Sequence, residues 1–204
     1  MGRKKNDASK NSILDAAFVL YSTRTYDQVR FEDFENATKL SRGAILYHFK
    51  NKELIFKTMC DKFLLEKSSA FLKLEKYEDN TALIDYIKQY IKTLKAYKRK
   101  ANVLGVKNLN KALINITLQA LFYYPDFAEK GLQWQLDQVK QWKKALIRAV
   151  SQNEIREDID LDITSELFED VYCGLAYSSL PLKDGIDLKK LESDFYFIYD
   201  SIKK

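Results

Sequence analysis

The only histidine of the chain, His48, stands beside Tyr47 in the stretch SRGAILYHFKNKELIF, residues 41–56. Arg42, Lys50 and Lys52 lie within ten residues of it. This is a set for holding anions, not for breaking bonds. Tyrosine, histidine and lysine donate hydrogen bonds to phosphate oxygens, and a guanidinium forks onto the edge of a guanine. Ala44 offers a methyl group to a thymine methyl, Gly43 lets the backbone approach closely, and Ser41 is suited to start the helix. Arg30 adds a further positive charge upstream. The candidate DNA-contacting residues are therefore Arg30, Ser41, Arg42, Gly43, Ala44, Tyr47, His48, Lys50 and Lys52.

No comparable grouping suits catalysis. The chain has no GxSxG, GxGxxG or phosphate-binding glycine loop. Cys60 and Cys173 are far apart and neither belongs to a CxxC or Cys/His cluster, so no metal site is expected. Glu154, Glu157 and Asp158 fall in a charged linker where solvation is their expected role. The reading is of a protein that is not an enzyme and needs no cofactor.

Helices must position these groups. Six glycines and two prolines leave too little punctuation for hairpins, and apolar residues recur at helical spacing, so the expected fold class is all-α. Residues 1–10 read as a mobile basic arm, and Ser9 or Asn11 as the cap of a first helix. A second short helix is expected from Phe31 to Thr38, with Phe31, Phe34 and Ala37 turned inward. Ser41 caps a third from Arg42 to His48, with Ile45, Leu46 and Phe49 as its apolar face. Asn51 caps a fourth, with Leu54, Ile55, Met59 and Phe63 inward, running toward Leu72. Further helices are expected over about 81–99, capped at Asp79-Asn80, and over 107–123, 126–152, 163–180 and 188–202. Three short helices joined by tight turns are the layout of a helix-turn-helix whose third member enters a DNA groove. Charge agrees in sign. Residues 1–60 carry eleven Lys/Arg against seven Asp/Glu, a net +4 of the chain's +5.

From about residue 10 to 60 the sequence resembles the TetR/AcrR family of bacterial repressors. ILDAAFVLYSTRTYDQVRFEDF is similar to that family's first helix, turn and second helix, and SRGAILYHFKNKELIF to its signature; IREDIDLDITSELFEDVYCGL resembles its later linker and penultimate helix. Thr38-Lys39 stands where the family has Ala-Gly, so Lys39 must take a positive φ or the turn must differ. Glu35 replaces a packed alanine, Leu46 a tyrosine, and Glu32 and Asp33 place acid near any phosphate.

The resemblance implies an N-terminal three-helix helix-turn-helix DNA-binding domain, residues 1–52, followed by an all-helical effector-binding and dimerisation domain, 53–204. It implies a homodimeric repressor released from a palindromic operator in double-stranded DNA by a small-molecule effector. Small residues Gly174, Ala176, Ser178 and Ser179 suit close helix pairing, so helices 126–152 and 163–180 are the expected dimer contact. Aromatics including Tyr86, Tyr90, Trp142 and Tyr172 are candidates for a pocket wall, though none is assigned to an effector. The alternative is a helical dimeric ligand-binding or adaptor protein with a degenerate DNA-binding head, suggested by Glu32, Glu35, Lys39 and Leu46. The apolar run from Ile13 to Tyr21 is short and holds Asp15, so a soluble, cytoplasmic protein with no membrane contact is expected.

Overall fold

The computed structural model describes residues 2–66 and 81–204, with side chains from Asn6 onward. Among them are helices α1 (Gly2–Thr23), α2 (Phe31–Thr38), α3 (Arg42–His48), α4 (Lys52–Cys60), α5 (Leu83–Val103), α6 (Leu109–Tyr123), α7 (Phe127–Ser151), α8 (Leu161–Ser178) and α9 (Leu188–Ile202). A π-helical turn, Asp61–Leu65, continues α4. The described residues contain no strand, only an isolated antiparallel bridge between Ile155 and Lys203. The protein is all-α. No helix of the described residues is long and apolar enough to cross a membrane.

The expected arm is a correction. Residues from Gly2 are already helical, so neither Ser9 nor Asn11 is a cap. RKKNDASK holds no proline or glycine, and a helix with a packed C-terminal half propagates through such residues at little cost. The caps at Asp79-Asn80 lie outside the described residues. The expected run of the fourth helix toward Leu72 is a correction: Glu66, extended at φ -71 and ψ 128, ends it after Leu65.

The chain forms two compact units. The first gathers residues 2–66, 103–106 and 111–130. Its core contains Ile13, Ala17, Phe18 and Tyr21 of α1, Phe34 of α2, Ile45 and Phe49 at α3, and Ile55, Phe56 and Met59 of α4. Phe18 stacks on Phe63 at 4.2 Å, and Tyr21 meets Phe56 edge-on. The C-terminal end of α1 is held by two amides of α6. Asn115 donates to the carbonyls of Tyr21 and Ser22, and Gln119 reaches those of Tyr21 and Arg24. Those carbonyls have no partner further along α1, so the amides satisfy orphan acceptors.

The second unit gathers residues 81–102, 107–110 and 131–204. Its core centres on Trp142 of α7, with Leu83, Ile87 and Ile91 of α5, Phe168 of α8 and Phe195 of α9. Asp160 and Asp187 cap α8 and α9 through their carboxylates. Glu154 is not simply solvated. Its carboxylate accepts from the N–H groups of Leu83 and Ile84 at 2.7 and 3.1 Å, serving the start of α5 from 71 residues away. Gly185, with φ +70, lies so close to Asn108 that a Cβ would come within 2.8 Å of its Oδ1. Asn108 in turn donates to the carbonyls of Ser179, Leu180 and Leu182.

Candidate nucleic-acid interface

The helix pair α2–α3 is built from local hydrogen bonds. Arg30 is extended at the head of α2, and its N–H donates to Asp33 Oδ2 at 2.8 Å. The guanidinium of Arg24 pairs with the other oxygen at 2.7 Å. The backbone bond first, and Arg24 second, hold the Asp33 carboxyl below the ordinary carboxylate range. Asp33 is thus spent inside the head, whereas Glu32 is exposed. Lys39 adopts φ 59, ψ 20, the left-handed conformation that the Ala-Gly position demands, and its N–H donates to Glu35 O. Thr38 Oγ1 donates to Phe34 O and accepts from Leu40 N–H, bracing the turn from both sides.

Ser41 starts α3 by accepting from Ala44 N–H at 3.3 Å. Ile45 and Phe49, one turn apart, are buried and anchor the helix. Leu46 is exposed, contrary to the expected apolar face. Residues Arg42, Leu46 and Lys50 repeat at i, i+4, i+8, so once Ile45 and Phe49 point inward Leu46 falls on the outer face. The same logic leaves Ala37 and Leu54 exposed rather than inward. Asn51 Oδ1 accepts from Leu54 N–H at 2.8 Å and opens α4.

The structure brings most of the candidate residues to one exposed face. Arg42 is exposed, its guanidinium 5.1 Å from the ring centre of Phe31, a cation–π contact that steers the fork. Tyr47 is 78% exposed and meets His48 edge-on at 5.3 Å. Gly43 and Lys50 are exposed, and Ala44 and His48 are half-buried. A Cβ on Gly43 would meet nothing within 4 Å, so the space above it is open to a ligand backbone. Ser41 and Arg30 are exposed at the two helix starts.

Lys52 is placed differently. Its ammonium donates to the carbonyls of Tyr26 and Val29 at 2.9 and 3.1 Å and lies 4.2 Å from the Tyr26 ring centre. It ties the α1–α2 loop to the start of α4. Replacing it by Met removes two charge-assisted bonds and strands two acceptors, so Lys52→Met is expected to lower unfolding stability by about 2 kcal/mol. Thermal denaturation checks this, with Lys50→Ala, which loses no described partner, as the silent control.

Residues 13–59 match the model of the bacterial regulatory proteins, tetR family. That match spans helices α1 to α4. Among solved structures it is similar to a TetR-family transcriptional regulator from Cytophaga hutchinsonii, at 17% identity over 98% of this chain and 96% of that one, with a TM-score of 0.73. A TetR-family regulator from Agrobacterium tumefaciens gives 13% identity, 98% and 100% coverage and 0.69. The complex of SmeT with triclosan gives 17%, 97% and 92%, and 0.67. These likenesses extend the shared fold over both units. Among curated proteins none matches the sequence. The matched family is one of bacterial regulatory proteins. No group of three or more His, Cys, Asp or Glu able to hold a metal occurs among its described residues.

Proposed function

We propose that this protein is a homodimeric DNA-binding repressor, released from a near-palindromic operator when a small molecule binds its second unit. The observation that carries the reading is the outer face of α3, where Arg42, Gly43, Tyr47 and Lys50 stand exposed on a helix anchored by Ile45 and Phe49. In this reading Arg42 and Ala44 contact base edges in the major groove, while Tyr47, His48, Lys50, Ser41 and Arg30 contact phosphates. Lys52 positions the turn that delivers them. DNA contact belongs to residues 1–52 and effector binding and dimerisation to 53–204. Such a protein works where its operator is, in the cytoplasm.

Dimerisation is supported by exposed apolar side chains on two helices of the second unit: Leu132, Leu136 and Ile147 on α7, and Ile163, Leu167 and Tyr177 on α8. Two copies joined by a two-fold axis present two α3 helices to successive major grooves. A small-molecule effector is supported by the similar fold of SmeT, whose structure is a complex with triclosan. A ligand that favours one spacing of the heads shifts the population away from the DNA-bound form.

The test is selection of bound duplexes from a random pool at low salt. The expected product is a pair of inverted half-sites centred about one helical turn apart. For the recovered site, Lys50→Ala should weaken binding across sequences and reduce the slope of log affinity against log salt by about 1. The exposed Glu32 and Leu46 favour the other reading, a dimeric binding protein whose head no longer reads DNA. Failure of any sequence to enrich would select it.

A further inference from the structure

Glu169 of α8 is the one buried acidic side chain among the described residues, only 2% exposed, and DNA binding makes no use of it. Its neighbours are rings. Trp142 donates its indole N–H to the carboxylate and stacks on Phe168 at 4.5 Å. Tyr90 packs against Trp142 at 4.9 Å, Tyr172 at 6.2 Å and Phe195 at 5.8 Å, and Tyr86 meets Trp142 edge-on at 5.1 Å. The other contact of the carboxylate is the weak thiol donor of Cys173, 3.8 Å from Oε1.

Oε2 is buried and has no hydrogen-bond partner among the described residues. No ion pair of Glu169 occurs among the described residues, and the charge that acts on it most, Asp170, has its own sign. Arg148 approaches this neighbourhood over the Tyr86 ring, 6.0 Å from its centre, and forms no described ion pair with Glu169. A buried carboxylate oxygen with neither cation nor donor is costly, and a partner that supplies positive charge removes that cost. Aromatic faces around a lone carboxylate are what recognises an organic cation, since each ring face attracts positive charge and the carboxylate neutralises it.

We propose that this cluster binds an organic cation, an arylalkylammonium or quaternary ammonium, with Glu169 as its counter-charge and the rings of Tyr86, Tyr90, Trp142 and Tyr172 around it. The inference rests on the effector-binding role proposed above and names the chemical class of that effector. A neutral ligand of the same shape fills the same rings but leaves Oε2 unpaired. The rings touch one another, so the cation enters by parting them, and the opened conformer is the one it selects.

The test uses the full-length protein and two probes of different size, benzyltrimethylammonium and tetraphenylphosphonium. Each is titrated by calorimetry and by tryptophan fluorescence, beside the neutral carbon isostere of the first, neopentylbenzene. At least one cation is expected to bind about tenfold or more tighter than the neutral compound. Glu169→Gln, shown folded by its circular dichroism, should lose about tenfold for the cation and change by less than about twofold for the neutral compound. Equal affinity for cation and isostere, no binding of either cation, or a Glu169→Gln variant that keeps its affinity would each overturn the proposal. Duplex binding measured on the same samples separates the two readings. Protein that binds duplex but prefers no cation refutes this inference and leaves the regulator standing. Protein that holds the cation through Glu169 but binds no duplex supports the site and removes its role in repression.

Discussion

Glu169→Gln is expected to unfold at a higher temperature than the parent protein at pH 8, and the advantage should vanish near pH 4.5. Burial, the largest influence, lifts the Glu169 carboxyl from 4.5 to about 7, against the smaller opposing bonds from Cys173 and Trp142. The folded chain therefore keeps a proton that the unfolded chain has lost between those two values. Where the folded state binds more protons, stability falls as pH rises. The destabilisation starts near pH 4.5, is complete a little above 7, and is absent below the window. A shift of this size corresponds to about 3 kcal/mol at full extent. Glutamine removes the charge but brings an amide N–H₂ that lacks an assured acceptor, which returns about 1 kcal/mol. The net gain of about 2 kcal/mol should appear as a rise of roughly 4–8 °C in melting temperature at pH 8 for a chain of this length. Melting curves at half-unit steps from pH 4.5 to 8 check it. Parent and variant curves that run parallel would show that Glu169 is not the buried charge described.

The same residue marks the limit of what the sequence reveals. Glu169 sits between Phe168 and Asp170, and helical spacing gives it no distinction from the solvated acids around it. Its burial follows from rings on α5, α7 and α9, none of them near in sequence. Lys52 is a similar case. Its motif neighbours Lys50 and Asn51 suggest a phosphate contact, but its carbonyl partners lie 23 and 26 residues back. Asn115 and Gln119, more than 90 residues from the α1 carbonyls they hold, carry no local signal at all. Features decided within a few residues were legible. The bounds of α2 and α3, the caps Ser41 and Asn51, and the left-handed Lys39 all follow from side chains competing for backbone groups nearby. Leu46 and Leu54 were misplaced because an apolar side chain at helical spacing says that a face exists, not which residue at its border is covered.

The head and the second unit make different demands on the chain. The head has its outward surface defined by anchored residues and capped ends, so its chemistry can be read from a short segment. The second unit leaves apolar area on α7 and α8 that no described contact covers. Scattered exposed leucines need no explanation, but Ile163 and Leu167 repeat along one face of α8 with Gly174 and Tyr177 in line. A side chain at Gly174 would meet nothing within 4 Å, so this face is open along its length.

Placing charge on that face is therefore expected to have the largest effect on DNA binding of any change far from α3. Ile163 is 64% exposed and Leu167 44%, so the pair Ile163→Glu and Leu167→Glu should leave the fold of a single chain nearly as stable as before. In a two-fold dimer the same substitutions bring four carboxylates into one buried seam, each desolvated and none paired, at a cost of several kcal/mol. Sedimentation equilibrium should find the parent dimeric and the double variant monomeric at micromolar concentration. A monomer offers one α3 helix where the dimer offers two, and it loses the gain of tethering the second contact to the first. Duplex affinity should then fall by about a hundredfold or more, while circular dichroism and melting temperature stay close to the parent values. A double variant that remains dimeric would place the subunit contact elsewhere. A parent that sediments as a monomer would remove the geometric basis for reading a palindrome, because one anchored helix grips a single half-site.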